Sequence, residues 1–392
     1  MLSQSCSETT PADYDETTTG CNALIEEGRR QNRSLIQIFP EARLIDVAGG
    51  AIVDLSDEDF AACQETMPGL SFEDLSAHLE PVQTSNLSAP KTQVSAPPPW
   101  NHEQSGANWF YEFGMTGTGM RLGIIAMNYS LSHPALKGRI KNLMKFGIPD
   151  AAKAVSDLHL LHPLGIFGGF EEGRFRGIAI DSEISLAMLA SKPAGADAML
   201  EALDWLIKQE EPPHAILICT DFATTAPGAV ARALFACRNA GIVPIISAGN
   251  NPNTITGMAA LPCCITIGAT DRWRQRVLFS GQGPVAYGGQ KIIKPDFCEP
   301  GSAVIGPAEG NEYRLGSGTL QAAAHFAGVF LLMRQALPDT DPEILLNAIR
   351  LTSEDIDASG IDDSSGYGIP RPSAAIGYVN TPPSDNAGIP YF

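Results

Sequence analysis

Residues 317–328 read SerGlyThrLeuGlnAlaAlaAlaHisPheAlaGly, and the pattern upstream of them decides the fold. From Trp100 onward, short apolar runs alternate with helical segments. Leu122–Ala126, Ile184–Leu189, Ala215–Cys219, Ile242–Ser247 and Cys264–Gly268 are strand candidates, and Ala196–Lys208 and Ala229–Ala240 are helices between them. Alternation of this kind predicts an α/β fold in three layers, with a mostly parallel sheet covered on both faces. No internal repeat is visible.

The segments around residue 320 resemble, motif by motif and in order, those of the subtilases. Ser317–Gly328 resembles the nucleophile segment G-T-S-x-A-x-P-H-x-A-G, with Gly318, Thr319, Ala322, His325, Ala327 and Gly328 matching as they stand. Lys294-Pro295-Asp296 through Pro300-Gly301 resembles K-P-D-x-x-A-P-G. Phe279-Ser280 with Gly283-Pro284 is similar to the F-S-x-x-G-P turn, and Ile265–Asp271 to the I-x-V-G-A-x-D strand. Ser247-Ala248-Gly249-Asn250 resembles the loop with the oxyanion Asn. Leu122–Leu136, closing on Ser132-His133-Pro134, resembles the strand and loop of the catalytic Asp. Gly366-Tyr367-Gly368 to Ala375 is similar to the last family element. The resemblance implies a subtilisin-like domain over residues 100–380, followed by a tail, 381–392.

That family hydrolyses peptides with a Ser hydroxyl, a His that takes its proton and an Asp that holds the imidazole. The alignment puts the Asp position on Ala126 and the nucleophile on Leu320. The segment H-G-T-H-V-A-G aligns with His162–Gly168, placing the catalytic His position on Gly165. The Pro before the nucleophile motif's His is Ala324. The triad is therefore expected to be degenerate, with no catalytic residue and no cofactor. Among the survivors, Asn250 is the oxyanion-hole equivalent, although Gly-Asn at a strand end also serves a tight turn. His325 is read as a core residue, and His162 as a histidine near the vacant base slot. Cys219, Thr220, Asp221 and Phe222 stand where the family has a Gly-rich substrate-groove strand. They are expected to line the cleft wall and to add bulk and charge there. A thiol at 219 can act as a nucleophile only with a base to lower its pKa, and none is identifiable. The acid that often follows the His-Pro pair as a Ca²⁺ ligand is Ala135, so no metal is expected.

The first quarter of the chain has a different character. Residues 1–20 are rich in Ser, Thr and acids and read as a disordered tail. Residues 21–80 read as a small α+β domain: a helix at Cys21–Arg33, strands at Leu35–Phe39, Leu44–Val47 and Ala51–Leu55, a helix from the Ser56 cap to about Thr66, and a strand at Leu70–Phe72. Ala51–Ser76 resembles the I9-type propeptide that chaperones subtilase folding. Residues 81–99, Pro/Ser-rich and aperiodic, read as a linker.

Charge and cysteines bound the partners. The net charge is −18, and Met1–Pro99 contributes −11 from 16 acidic and 5 basic side chains. Such a surface excludes attraction to nucleic acid or anionic membranes and suits a basic peptide or protein partner. The eight cysteines lack CxxC or Cys/His metal spacing, and no secretory signal is apparent. A cytoplasmic setting with reduced, mostly buried thiols is expected. The reading is of a catalytically inactive subtilase homologue that binds a peptide or protein, in peptide natural-product maturation or in regulating an active protease. The alternatives are an enzyme with other chemistry in the same cleft, or a structural partner subunit.

Overall fold

A computed structural model describes residues 99–127, 131–146, 160–189 and 195–381. Before these it describes the short segments 2–4, 43–45, 48, 50–53, 70–73 and 79–81. The helices expected at Cys21–Arg33 and Ser56–Thr66 and the strand at Leu35–Phe39 lie outside the described residues.

Seven parallel strands form the central sheet: β1 (Arg121–Met127), β2 (Ile140–Phe146), β3 (Glu183–Leu189), β4 (Ala215–Ile218), β5 (Val243–Ser247), β6 (Ile265–Thr270) and β7 (Phe297–Pro300). Their spatial order is β7-β6-β5-β4-β1-β3-β2. Alternation of side chains along each strand feeds two cores. From β1 and β4, Leu122, Ile124, Ala126 and Leu217 enter one core with Cys219, while Ile125, Met127, Ile216 and Ile218 enter the other. Helices α1 (Leu161–Gly168) and α4 (Thr319–Ala336) cover the first face. Helices α2 (Ala196–Ile207) and α3 (Gly228–Asn239) cover the second. The three layers expected from the sequence are those observed.

Helix α4 is buried at every position from Thr319 to Arg334. Its run of alanines lets it lie close to β5, β6 and β7, and a helix apolar on all sides is stable only when enclosed like this. It is fixed by a polar tie: His325 Nδ1 donates to the Gln321 carbonyl (2.8 Å), so Nε2 accepts from Asn101 Nδ2 (2.8 Å). Burial, with a smaller push from His162, lowers the His325 pKa to about 4, and the ring is neutral. The core role expected for it is the one it has.

Retained polar motif residues serve the same packing. Lys294, only 2% exposed, donates from Nζ to Asp296 Oδ2 (2.6 Å) and to the Cys264 carbonyl (2.5 Å), and Asp296 Oδ2 also accepts from the Thr266 N–H (2.8 Å).

The N-terminal segments form a four-stranded antiparallel sheet, ordered Arg43–Ile45, Gly50–Ile52, Leu2–Gln4, Leu70–Phe72. Within the stretch 1–20, read from the sequence as a tail, the backbone of Leu2–Gln4 pairs with Gly50–Ala51 and with Leu70–Phe72, and residues 5–20 lie outside the described residues. Ile45 and Ile52 pack into the core of α2 and α3. Arg43 pairs with Glu201 and with Asp197 (3.4 Å) on α2. Glu73 Oε2 accepts from the first-turn N–H of Ala229 on α3 (2.8 Å) and from Arg232 (3.3 Å). A carboxylate there satisfies an orphan donor at the positive end of a helix.

Candidate functional site

Leu320 stands second in α4, where the resemblance requires a nucleophile, and it is completely buried. Ala126 on β1 and Cys219 just past β4 share its hydrophobic core. Where the resemblance puts the hydroxyl and the carboxylate, this core holds a leucine side chain and a methyl group, with the Cys219 thiol in the same cluster. The hydroxyls just before Leu320 are committed. Ser317 Oγ accepts from the Ala303 N–H (2.8 Å), and Thr319 Oγ1 donates to Asn250 Oδ1 (3.0 Å).

Gly165 lies in the middle of α1, and its glycine identity has a packing reason. A Cβ there would fall inside the van der Waals envelope of the Pro307 ring, on the hairpin formed by Val304–Ala308 and Glu312–Gly316. No imidazole can stand at position 165 in this protein. The histidine that α1 does carry is His162, in its first turn. As the sequence reading placed it, this imidazole lies close to position 165, enclosed next to α4. The His162 ring is fully buried, packs on Gly306, and donates from Nε2 to the Arg314 carbonyl (3.2 Å).

Asn250, just beyond β5, is anchored by its oxygen. Oδ1 accepts from both the N–H (2.9 Å) and the hydroxyl of Thr319, capping the start of α4. Its amide end consequently turns beside Gly318, where a Cβ would sit 3.2 Å from Nδ2. The side chain therefore closes the turn, with its amide nitrogen beside Gly318.

The wall strand differs from its sequence reading. Thr220–Phe222 forms a short strand, but Thr220 is fully buried and Phe222 is 2% exposed, packed into the core of α2 and α3. Neither adds bulk to a cleft. Asp221 does not add charge to one either. Its Oδ1 accepts from the N–H groups of Phe222 (2.7 Å) and Met258 (2.6 Å), and Oδ2 from that of Ala259 (3.3 Å). The carboxylate is the anchor of the loop at 256–259. Gly257 is required there, because its φ is +62° and a Cβ would collide with the carboxylate. Burial raises the Asp221 pKa to about 7 in spite of these three donors.

With its side chains turned inward, the strand offers its backbone edge, and that edge is occupied. Leu79–Pro81 pairs antiparallel with it, Thr220 opposite Pro81 and Phe222 opposite Leu79. The stretch read as a linker from residue 81 thus begins inside a strand pair.

Burial pushes the Cys219 thiol up to about 12, so it stays protonated and unreactive. Iodoacetamide should leave Cys219 unmodified in the native protein and alkylate it after denaturation, as read by peptide mapping. At Ala135, the backbone N–H donates to His133 Nδ1 (3.1 Å), closing the turn Pro134–Leu136. Among the described residues, no helix is long and apolar enough to cross a membrane.

The chain belongs to the subtilase family, whose model matches residues 117–368. Among its relatives, bacillopeptidase F of Bacillus subtilis is 28% identical over 306 residues, covering 69% of this chain and 21% of that protein. The subtilisin-like protease PopC of Myxococcus xanthus is 26% identical over 293 residues, covering 64% of this chain and 59% of its own. The serine protease AprX of Bacillus subtilis is 27% identical over 288 residues (62% and 63%). The chain therefore spans less than two thirds of the length of these relatives. The structure of the prenylagaramide maturation protease PagA superimposes with a TM-score of 0.58 at 18% identity, covering 70% of this chain and 98% of that one, a likeness of fold.

Proposed function

We propose that this subtilase-fold protein binds an extended peptide, or an extended segment of a protein, without cutting it. The observation that carries the proposal is Leu320, buried at the nucleophile position with Ala126 in the same core. One feature supports binding: the edge of Thr220–Phe222 holds a strand by backbone pairing, a mode that gives affinity with little dependence on side chains. The proposal extends to the partner. The N-terminal quarter, at −11, favours a basic one, and the setting is either maturation of a peptide product or regulation of an active protease.

Purified protein should leave casein and chromogenic peptides uncut and take no label from a fluorophosphonate probe. Labelling at any serine would overturn the reading. A co-purified active protease or precursor peptide would decide between the two settings.

A further inference from the structure

Glu299, on β7, is completely buried, and among the described residues neither of its carboxyl oxygens has a hydrogen-bond partner. The residue stands where the motif K-P-D-x-x-A-P-G has an alanine. Transferring an ionised carboxylate to such a place without a partner is so unfavourable that the group keeps its proton instead. Its surroundings contain little to hold a charge. The paired strand β6 sets Ala269 opposite it and has no ionisable residue. Helix α4, packed on the same strand, has only His325, neutral and tied to Asn101, and Arg334, which donates to the Thr340 carbonyl. The turn at Trp100–Gln104, also packed on β7, carries His102 and the exposed Glu103, and burial lowers the pKa of His102 to about 3, which keeps it neutral. Cys298 beside it is a buried thiol. The charge that reaches Glu299 is Arg274, whose guanidinium is engaged by Glu354 (2.9 and 2.6 Å).

We propose that Glu299 is carried as an uncharged acid and acts as a built-in pH sensor, so that rising pH loosens β7 and, through it, the start of α4. The connection is short. Strand β7 runs into Gly301, whose N–H donates to the Thr270 carbonyl (2.9 Å) and whose carbonyl accepts from the Gly318 N–H (2.8 Å). Gly318 is the residue before Thr319, the one Asn250 holds. Burial pushes the Glu299 carboxyl well above its ordinary range. An acid with a raised folded-state pKa makes the native state bind more protons than the unfolded chain. Its contribution is fully present below the ordinary carboxylate pKa and is lost as pH rises towards the folded-state value.

The test is thermal unfolding of the full chain and of Glu299→Gln from pH 5 to pH 9. Gln keeps the shape and cannot ionise, so any constant cost of its amide drops out of the slope. Asp221 and the buried histidines titrate alike in both proteins and cancel in the difference. The wild-type Tm should fall relative to that of the variant by about 3 °C or more per pH unit over at least the lower half of that range. Parallel curves would overturn the proposal. If Glu299→Gln does not fold, amide exchange of the wild type decides. Opening of residues 297–301 and 317–320 should become easier with pH beyond the intrinsic chemical rate, and a pH-independent opening would overturn it.

Discussion

Leu320→Ser will fold less stably than the wild type and will still not hydrolyse peptides. The stability loss follows from packing: truncating a fully buried leucine in a close-packed core costs about 2–5 kcal/mol, and a hydroxyl buried in its place adds to this. A loss of 3 kcal/mol or more corresponds to a drop in Tm of roughly 6–12 °C for a domain of this size. The lack of turnover follows from what surrounds the new hydroxyl. Ala126 provides no carboxylate. Position 165 is closed by Pro307, and His162 has its Nε2 committed to the Arg314 carbonyl. Differential scanning calorimetry and a chromogenic peptide assay read the two halves separately. Turnover by this single variant would mean that the His162 ring re-aims to act as a base. Turnover only after Ala126→Asp is added would mean that the scaffold keeps a catalytic geometry and lacks only the groups.

Lys294→Met will destabilise the protein by about 3–5 kcal/mol, an effect comparable to that at Leu320 and of different origin. Removing one partner of a buried pair leaves the Asp296 carboxyl beside an apolar side chain, with the Thr266 N–H as its remaining donor among the described residues, and the Cys264 carbonyl loses the Lys294 donor. Replacing both members, Lys294→Met with Asp296→Leu, should recover much of the loss, because well-packed apolar residues often match a buried ion pair. Denaturant unfolding of the two variants checks this. A single variant within about 0.5 kcal/mol of wild type would show that the pair is not what holds β6 to β7.

The central sheet was legible because its strands are unbroken apolar runs. Those starting at 121, 183, 215, 243 and 265 lie within a residue or two of where the sequence puts them. The two sheet edges were not. Ile140–Phe146 mixes Lys141, Asn142 and Lys145 with exposed Leu143 and Met144, as a strand half open to solvent does, and Phe297–Pro300 carries an acid and ends in proline. Leu2–Gln4 and Leu79–Pro81 are three-residue strands that exist only through pairing with distant segments, so no local pattern announces them. At the site, the identities of residues 126, 250 and 320 could be read directly, since they lie in motifs. The orientation of Asp221 could not. It depends on N–H groups 37 and 38 residues away, and alternation says only which face a side chain takes, not what it meets there. Gly165 was legible as a residue without chemistry, but its reason, contact with Pro307, is tertiary.

The proposed function requires that the protein hold a strand at Thr220–Phe222 and not cut the chain that supplies it. Intact-mass spectrometry of the purified full-length protein during prolonged incubation at neutral and mildly alkaline pH measures this directly, since Leu79–Pro81 is already seated on that edge and needs no added substrate. One species at the full 41.6 kDa is expected throughout. Growth of a fragment beginning near Trp100, at a rate independent of protein concentration and abolished by a serine-directed inhibitor, would contradict it.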